Sequence, residues 1–259
     1  MKKILTLSIA AAMGFTLCAC GSDNSSLGSS TAETSIAVTE SKELSAPEKL
    51  LEDIRGTYEE LFPVINDSKY DQLWIDKCEA LVGKENADMS ALMLKNSCVG
   101  TVYGEEAVKA YTDKPDSTQF DCYFINGVSQ ITFDGNKISG TDKNGSEVFS
   151  HEYSYVKDLS LSGMMDGYLY ETSDSDAGEF KYFFMMPDTP DTTYHLEFRY
   201  GSDIDALSKY NEGIYAYWLA AAIPVERDEK LVEDCITLFA EENLSGQEEE
   251  NAEQSEATE

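Results

Sequence analysis

From Gln119 to Tyr200 the chain breaks into short β-rich runs: Phe120 to Ile125, Gln130 to Phe133, Glu147 to Val156, Tyr168 to Glu171, Phe180 to Met186 and Thr193 to Tyr200. Asn126-Gly127, Asp134-Gly135-Asn136 and Asn144-Gly145 lie between or beside them. These pairs adopt the positive φ angles that tight hairpins demand, so neighbouring runs should pair antiparallel. A meander of that many strands has two unpaired edges to dispose of. It does so by closing into a barrel or stacking as a sandwich.

The apolar period is helical on either side. Ser45-Ala46-Pro47-Glu48 reads as a capping box with an early proline, and Leu50, Leu51, Ile54, Tyr58, Leu61 and Phe62 follow on one helical stripe. A second helix carries Leu73, Trp74, Cys78, Leu81 and Val82, and a third runs from about Asp88 to Lys95. After the strands, helical spacing returns at Ile204 to Tyr210, Gly213 to Leu219 and Glu226 to Glu242. The expected class is α+β, with N-terminal and C-terminal helices packed on an antiparallel barrel or sandwich.

The first residues, Met1-Lys2-Lys3, precede an uncharged, mostly apolar run from Ile4 to Leu17 that is too short to span a bilayer. It ends in Leu17-Cys18-Ala19-Cys20-Gly21, which resembles a bacterial lipobox. Residues 1–19 are therefore expected to be a lipoprotein signal peptide, with Cys20 the lipidated mature N-terminus. Residues 20–45 lack aromatics and are rich in Ser, Thr, Ala and Glu, the composition of a flexible linker. Residues 245–259 are expected to form a disordered acidic tail, which leaves 46–244 as one folded unit.

Asp and Glu number 49 against 19 Lys and Arg, a formal charge of -30, which excludes a basic nucleic-acid footprint. The two histidines, His151 and His195, rule out a three-histidine metal site within one chain. Beyond the lipobox there are four cysteines, Cys78, Cys98, Cys122 and Cys235, with no C-x-x-C among them. In an exported protein four cysteines permit three disulfide pairings or free thiols, and spacing does not choose.

Chemistry concentrates in Pro187-Asp188-Thr189-Pro190-Asp191-Thr192-Thr193-Tyr194-His195-Leu196-Glu197. Alternate strand residues share a face, so His195 and Glu197 point to one volume, and Asp188 or Asp191 can reach back from the turn. Imidazole with carboxylates suits zinc and similar divalent ions. The same alternation also fits a strand whose Thr193, His195, Glu197 and Arg199 face water over a core of Tyr194, Leu196, Phe198 and Tyr200. His151 shares its face with Phe149, Tyr153 and Tyr155 and reads as a packed residue. No nucleophile elbow, Walker loop, EF-hand or H-E-x-x-H pattern is present, so an enzyme is not expected.

Three segments resemble the ZinT family of exported zinc-trafficking proteins. Leu51 to Ile65 is similar to that family's opening helix, and Asn126 to Phe133 to its first hairpin. His195-Leu196-Glu197-Phe198-Arg199-Tyr200-Gly201-Ser202-Asp203 is similar to its H-x-H strand running into a helix start. The resemblance covers roughly Pro47 to Leu244 and implies a calycin/lipocalin-like barrel with a zinc or cadmium site of three histidines near one barrel mouth. This chain departs from it: Glu197 stands where the second histidine is expected, and the further histidine would fall near Asp188. Two imidazoles replaced by carboxylates make a harder and less selective site.

The resemblance implies a lipid-anchored, extracytoplasmic protein that captures a divalent metal, zinc foremost, through His195, Glu197 and Asp188. Its partners would be the metal ion, the solute-binding protein of a metal importer, and the membrane through the lipid anchor. The alternative is a barrel with a degenerate metal site, whose aromatic-rich interior takes a small apolar ligand or whose surface takes a protein partner.

Overall fold

The structure, a computed structural model, describes residues 43–115 and 119–245. The expected signal peptide, Cys20, most of the linker and all but the first residue of the acidic tail lie outside the described residues. Among the described residues no helix is long and apolar enough to cross a membrane.

Helix α1 (Ala46–Asp53) opens the fold. Glu48 accepts from the backbone N–H of Ser45 (2.9 Å), the reciprocal bond of the expected capping box, and also from the Ser45 hydroxyl (2.6 Å). The helix does not continue to Phe62, because the chain switches at Gly56 (φ +152°) into strand β1 (Gly56–Glu60) before the short helix α2 (Leu61–Ile65). Helices α3 (Asp71–Val82), α4 (Lys84–Ser97) and α5 (Glu105–Asp113) follow. The first two match the expected helices, whereas α5 was not foreseen.

The strands are β2 (Gln130–Asp134), β3 (Lys137–Thr141), β4 (Glu147–Glu152), β5 (Ser154–Leu161), β6 (Met165–Glu171), β7 (Tyr182–Met185), β8 (Leu196–Gly201) and β9 (Ala220–Pro224). Helix α6 (Ile204–Leu207) follows β8, and α7 (Glu229–Leu244) follows β9. Phe120 to Ile125, expected as a strand, contributes only isolated bridges at Asp121. Gly213 to Leu219, expected as a helix, forms turns that lead into β9, whose alanine-rich sequence carries no alternation.

All pairings are antiparallel, in the order β4-β3-β2-β1-β9-β8-β7-β6-β5. Laid flat, nine strands at about 4.8 Å spacing would hold the two edges ~38 Å apart. Yet edges β4 and β5 are joined through Tyr153 alone, a reach of about 7 Å. The sheet must therefore curl until its edges meet at that corner. The result is the expected α+β architecture, a curled antiparallel half-barrel with helices.

Curling encloses one core and leaves the outer face to a second. Inside lie Phe133, Phe149, Phe183, Phe198, Tyr200 and Trp218, all buried, with ring centroids of neighbours 5.1–6.2 Å apart. Burying each such ring contributes roughly 1.5–3 kcal/mol relative to leaving it exposed. Outside, α2, α3, α4 and α7 pack on the sheet around Phe62, Trp74, Ile223 and Ile236. Trp74 Nε1 donates to Ile65 O at 2.8 Å, tying α3 to the end of α2.

Candidate metal centre

Strand β8 divides the two cores. Leu196, Phe198 and Tyr200 point into the barrel, so His195, Glu197 and Arg199 face outward, His195 toward α7 and Arg199 under the chain of residues 207–218. That face is not a wet one. Arg199 is completely buried, and His195 keeps only 12% of its side chain exposed.

The turn ahead of β8 delivers His195. Thr192 and Thr193 both donate backbone N–H groups to Thr189 O (3.1 and 2.9 Å), and the Thr193 hydroxyl bridges to the carbonyls of Thr189 and His195. Tyr194 then takes φ +65°, a left-handed conformation that costs a non-glycine residue about 1 kcal/mol or more. This kink sends the imidazole toward α7. The Met186 N–H donates to Glu197 O at 3.0 Å, which extends the β7–β8 pairing and carries the chain to Asp188 beside Glu197.

His195 Nδ1 lies 2.6 Å from Thr193 O, so Nδ1 carries a proton, and once the ring is neutral Nε2 is left for another partner. Nε2 is 3.6 Å from Glu197 Oε1. On the Nδ1 side stands Cys235 of α7, its sulfur 3.9 Å away. Burial opposes an imidazolium here, but Cys235 and Glu197 outweigh it and hold the His195 pKa well above the usual histidine value.

Asp188 is buried, and its Oδ2 has no hydrogen-bond partner. Burial, then the Glu197 carboxylate, push its pKa up to about 7, while His195 and the Glu197 backbone N–H pull the other way and Glu242 adds repulsion. Glu242 of α7 is also raised, first by burial and then by Glu197. Three carboxylates thus crowd one region with His195 as the basic group acting on them. A divalent cation would relieve both that repulsion and the orphaned oxygen.

Of the expected residues, the structure brings His195, Glu197 and Asp188 together. Asp191 is exposed on the turn ahead of Tyr194. His151 lies elsewhere, paired with Asp174 at 2.8 Å and stacked on Phe149. Among the described residues, no three His, Cys, Asp or Glu side chains stand as a ready-made metal cluster. Cys235 and Glu242 were missed as neighbours of the site, although seven residues on one helix is two turns on one face.

No protein-family model matches the chain, and no curated protein matches it. Among solved structures, it is similar to the Zn(II)-bound ZinT-like domain of Streptococcus pneumoniae AdcA. The identity is 18% and the TM-score 0.45, over 72% of this chain and 89% of that one. It is also similar to Zn(II)-bound AdcA from the same organism, at 18% identity and a TM-score of 0.44, over 73% of this chain but only 35% of that one. The chemistry of the site rests on this chain's own residues.

Proposed function

We propose that this chain binds a divalent metal, zinc foremost, in the extracytoplasmic space, with His195 Nε2, Glu197 and Asp188 as its ligands. The observation that carries this reading is the buried, unpartnered Asp188 Oδ2 beside an imidazole–carboxylate pair. The spacing of that pair supports it. Two ligands about 2.1 Å from a tetrahedral zinc sit ~3.4 Å from each other, and Nε2 and Oε1 stand 3.6 Å apart. Asp188 and Glu197 would have to turn their side chains toward Nε2 to complete the set. The lipobox at Cys20 supports tethering of the chain to the outer face of the membrane. There it would capture metal and hand it to an importer's solute-binding protein; no enzymatic reaction is proposed.

The alternative, an apolar ligand inside the barrel, would compete with the buried aromatic rings already there. Stacked and edge-on rings pack the interior, and two hollows of about 470 and 530 Å³ are open depressions along β5 and β6.

The test is calorimetric titration of zinc into the metal-free full chain and into a His195→Ala, Glu197→Ala double variant that keeps the acidic tail. One stoichiometric site, lost in the variant, is expected. Absence of saturable binding, or binding untouched by the substitutions, would remove the site.

A further inference from the structure

The four cysteines of the described residues are all thiols in this structure. Two of them stand opposite each other on neighbouring extended segments. Val99 and Asp121 form an antiparallel bridge, flanked by hydrogen bonds from Phe120 N to Ser97 O (2.8 Å) and from Gly100 N to Phe120 O (2.9 Å). In that register the next pair is Cys98 with Cys122. Directly opposed antiparallel residues have Cα atoms about 4.5–5.5 Å apart, within the window a disulfide accepts. The two thiols also act on one another through their side chains, which fits sulfur atoms on the same side of the bridged segments.

We propose that Cys98 and Cys122 are a redox-active pair that closes to a disulfide when an oxidising disulfide reaches the exported protein. Cys98 is the attacking thiol. It is partly exposed, the more accessible of the two, and its sulfur lies 3.6 Å from the Ser97 hydroxyl and beside Cys122. Those donors favour its thiolate, whereas Cys122 is buried and suited to the resolving step. The Cys98 thiolate attacks R–S–S–R and expels one thiolate, leaving a mixed disulfide. Cys122 then attacks the Cys98 sulfur and expels the second. The protein loses two electrons and two protons, and the oxidant leaves as two R–SH.

The closed bond would staple the end of α4 to the segment holding Cys122. The Cys122 carbonyl accepts from Ala221 N at 3.0 Å, and Ala221 pairs with Glu197 on β8. Oxidation would therefore brace the strand that carries the candidate site, and the pair itself stands whether or not a metal binds. Cys78 is a poor rival, since it is buried within α3 and burial pushes its thiol up to about 11.

The test uses the full chain, exported by a bacterial host and purified without reductant. Free thiols are blocked with N-ethylmaleimide before unfolding, and a non-reducing tryptic digest is read by mass spectrometry. The expected species is peptide Asn96–Lys109 linked to Ala110–Lys137, lighter by two hydrogens than the two thiol peptides together and separated by reductant. The link should re-form when reduced, folded protein meets oxidised glutathione, and Cys98→Ser or Cys122→Ser should each abolish it. Recovery of both peptides only in maleimide-blocked form under both conditions, or either one linked to Cys78 or Cys235, would overturn the proposal.

Discussion

Replacing Arg199 with methionine should destabilise the fold more than any surface substitution, because this guanidinium is a strut for the chain that follows β8. Nε donates to Trp218 O at 2.6 Å, one terminal nitrogen to Leu207 O and Lys209 O at 2.9 and 2.8 Å, and the other to Tyr215 O at 2.5 Å. Burial lowers its pKa to about 10, and among the described residues no carboxylate is ion-paired with it. Four carbonyls therefore share one cation. Methionine keeps most of the volume but none of the donors, and each buried carbonyl left unsatisfied costs about 1–3 kcal/mol. Allowing water to reach half of them, the loss is roughly 4 kcal/mol, a large share of a typical stability of about 5–15 kcal/mol. The melting temperature should fall by roughly 8–16 °C, and Arg199→Lys, with its donors on one atom, should lose about half as much. Urea unfolding followed by tryptophan fluorescence reads both, since Trp218 lies at the strut. A loss under about 1 kcal/mol for Arg199→Met would show that the carbonyls do not depend on the guanidinium.

Burial raises the Asp121 pKa from 3.8 to about 6, so this carboxyl contributes stability that is fully present below about pH 3.8 and lost as pH rises through about 6. Asp121→Asn should accordingly be more stable than wild type at pH 8 by about 3 kcal/mol, with the gap closing toward pH 4; equal urea midpoints at pH 8 would contradict this. Gly167→Ala should lower the melting temperature by roughly 4–8 °C, because the new methyl would meet Met185 O at 2.3 Å and the Phe184 ring at 2.8 Å; a change under one degree would mean that β6 and β7 can separate freely. Glu242→Gln removes a charge that acts on Asp188 and should weaken zinc binding roughly threefold to tenfold in the calorimeter; unchanged affinity would take α7 out of the site.

Much of this architecture was legible where local chemistry decides it. The capping box at Ser45 and the Asp134-Gly135-Asn136 turn are written in a few adjacent residues, and both form as expected. What could not be read depends on distant partners. Glu197 pairs with Ala221, and Cys122 O is taken by Ala221 N, yet the run Ala220 to Ala222 has no period of its own to announce a strand. Arg199 continued an alternation that looked solvent-facing, and only the carbonyls of residues 207–218 explain its burial. The one-helix reading across Tyr58 failed because Gly56 turns the chain and β1 is captured between β2 and β9. His195 and Glu197 were visible from their spacing, but the strain at Tyr194 that aims the imidazole, and Cys235 on its far side, were not.

The ligand set is tested most directly by X-ray absorption at the zinc edge of the full chain loaded with one equivalent of metal. A shell of nitrogen and oxygen at about 2.0–2.2 Å, with one imidazole that disappears in His195→Ala, is the result predicted for His195, Glu197 and Asp188. Sulfur at about 2.3 Å would contradict it, placing the metal on the Cys235 side of the histidine or on the Cys98–Cys122 pair. A shell unchanged by His195→Ala would place the metal away from this centre altogether.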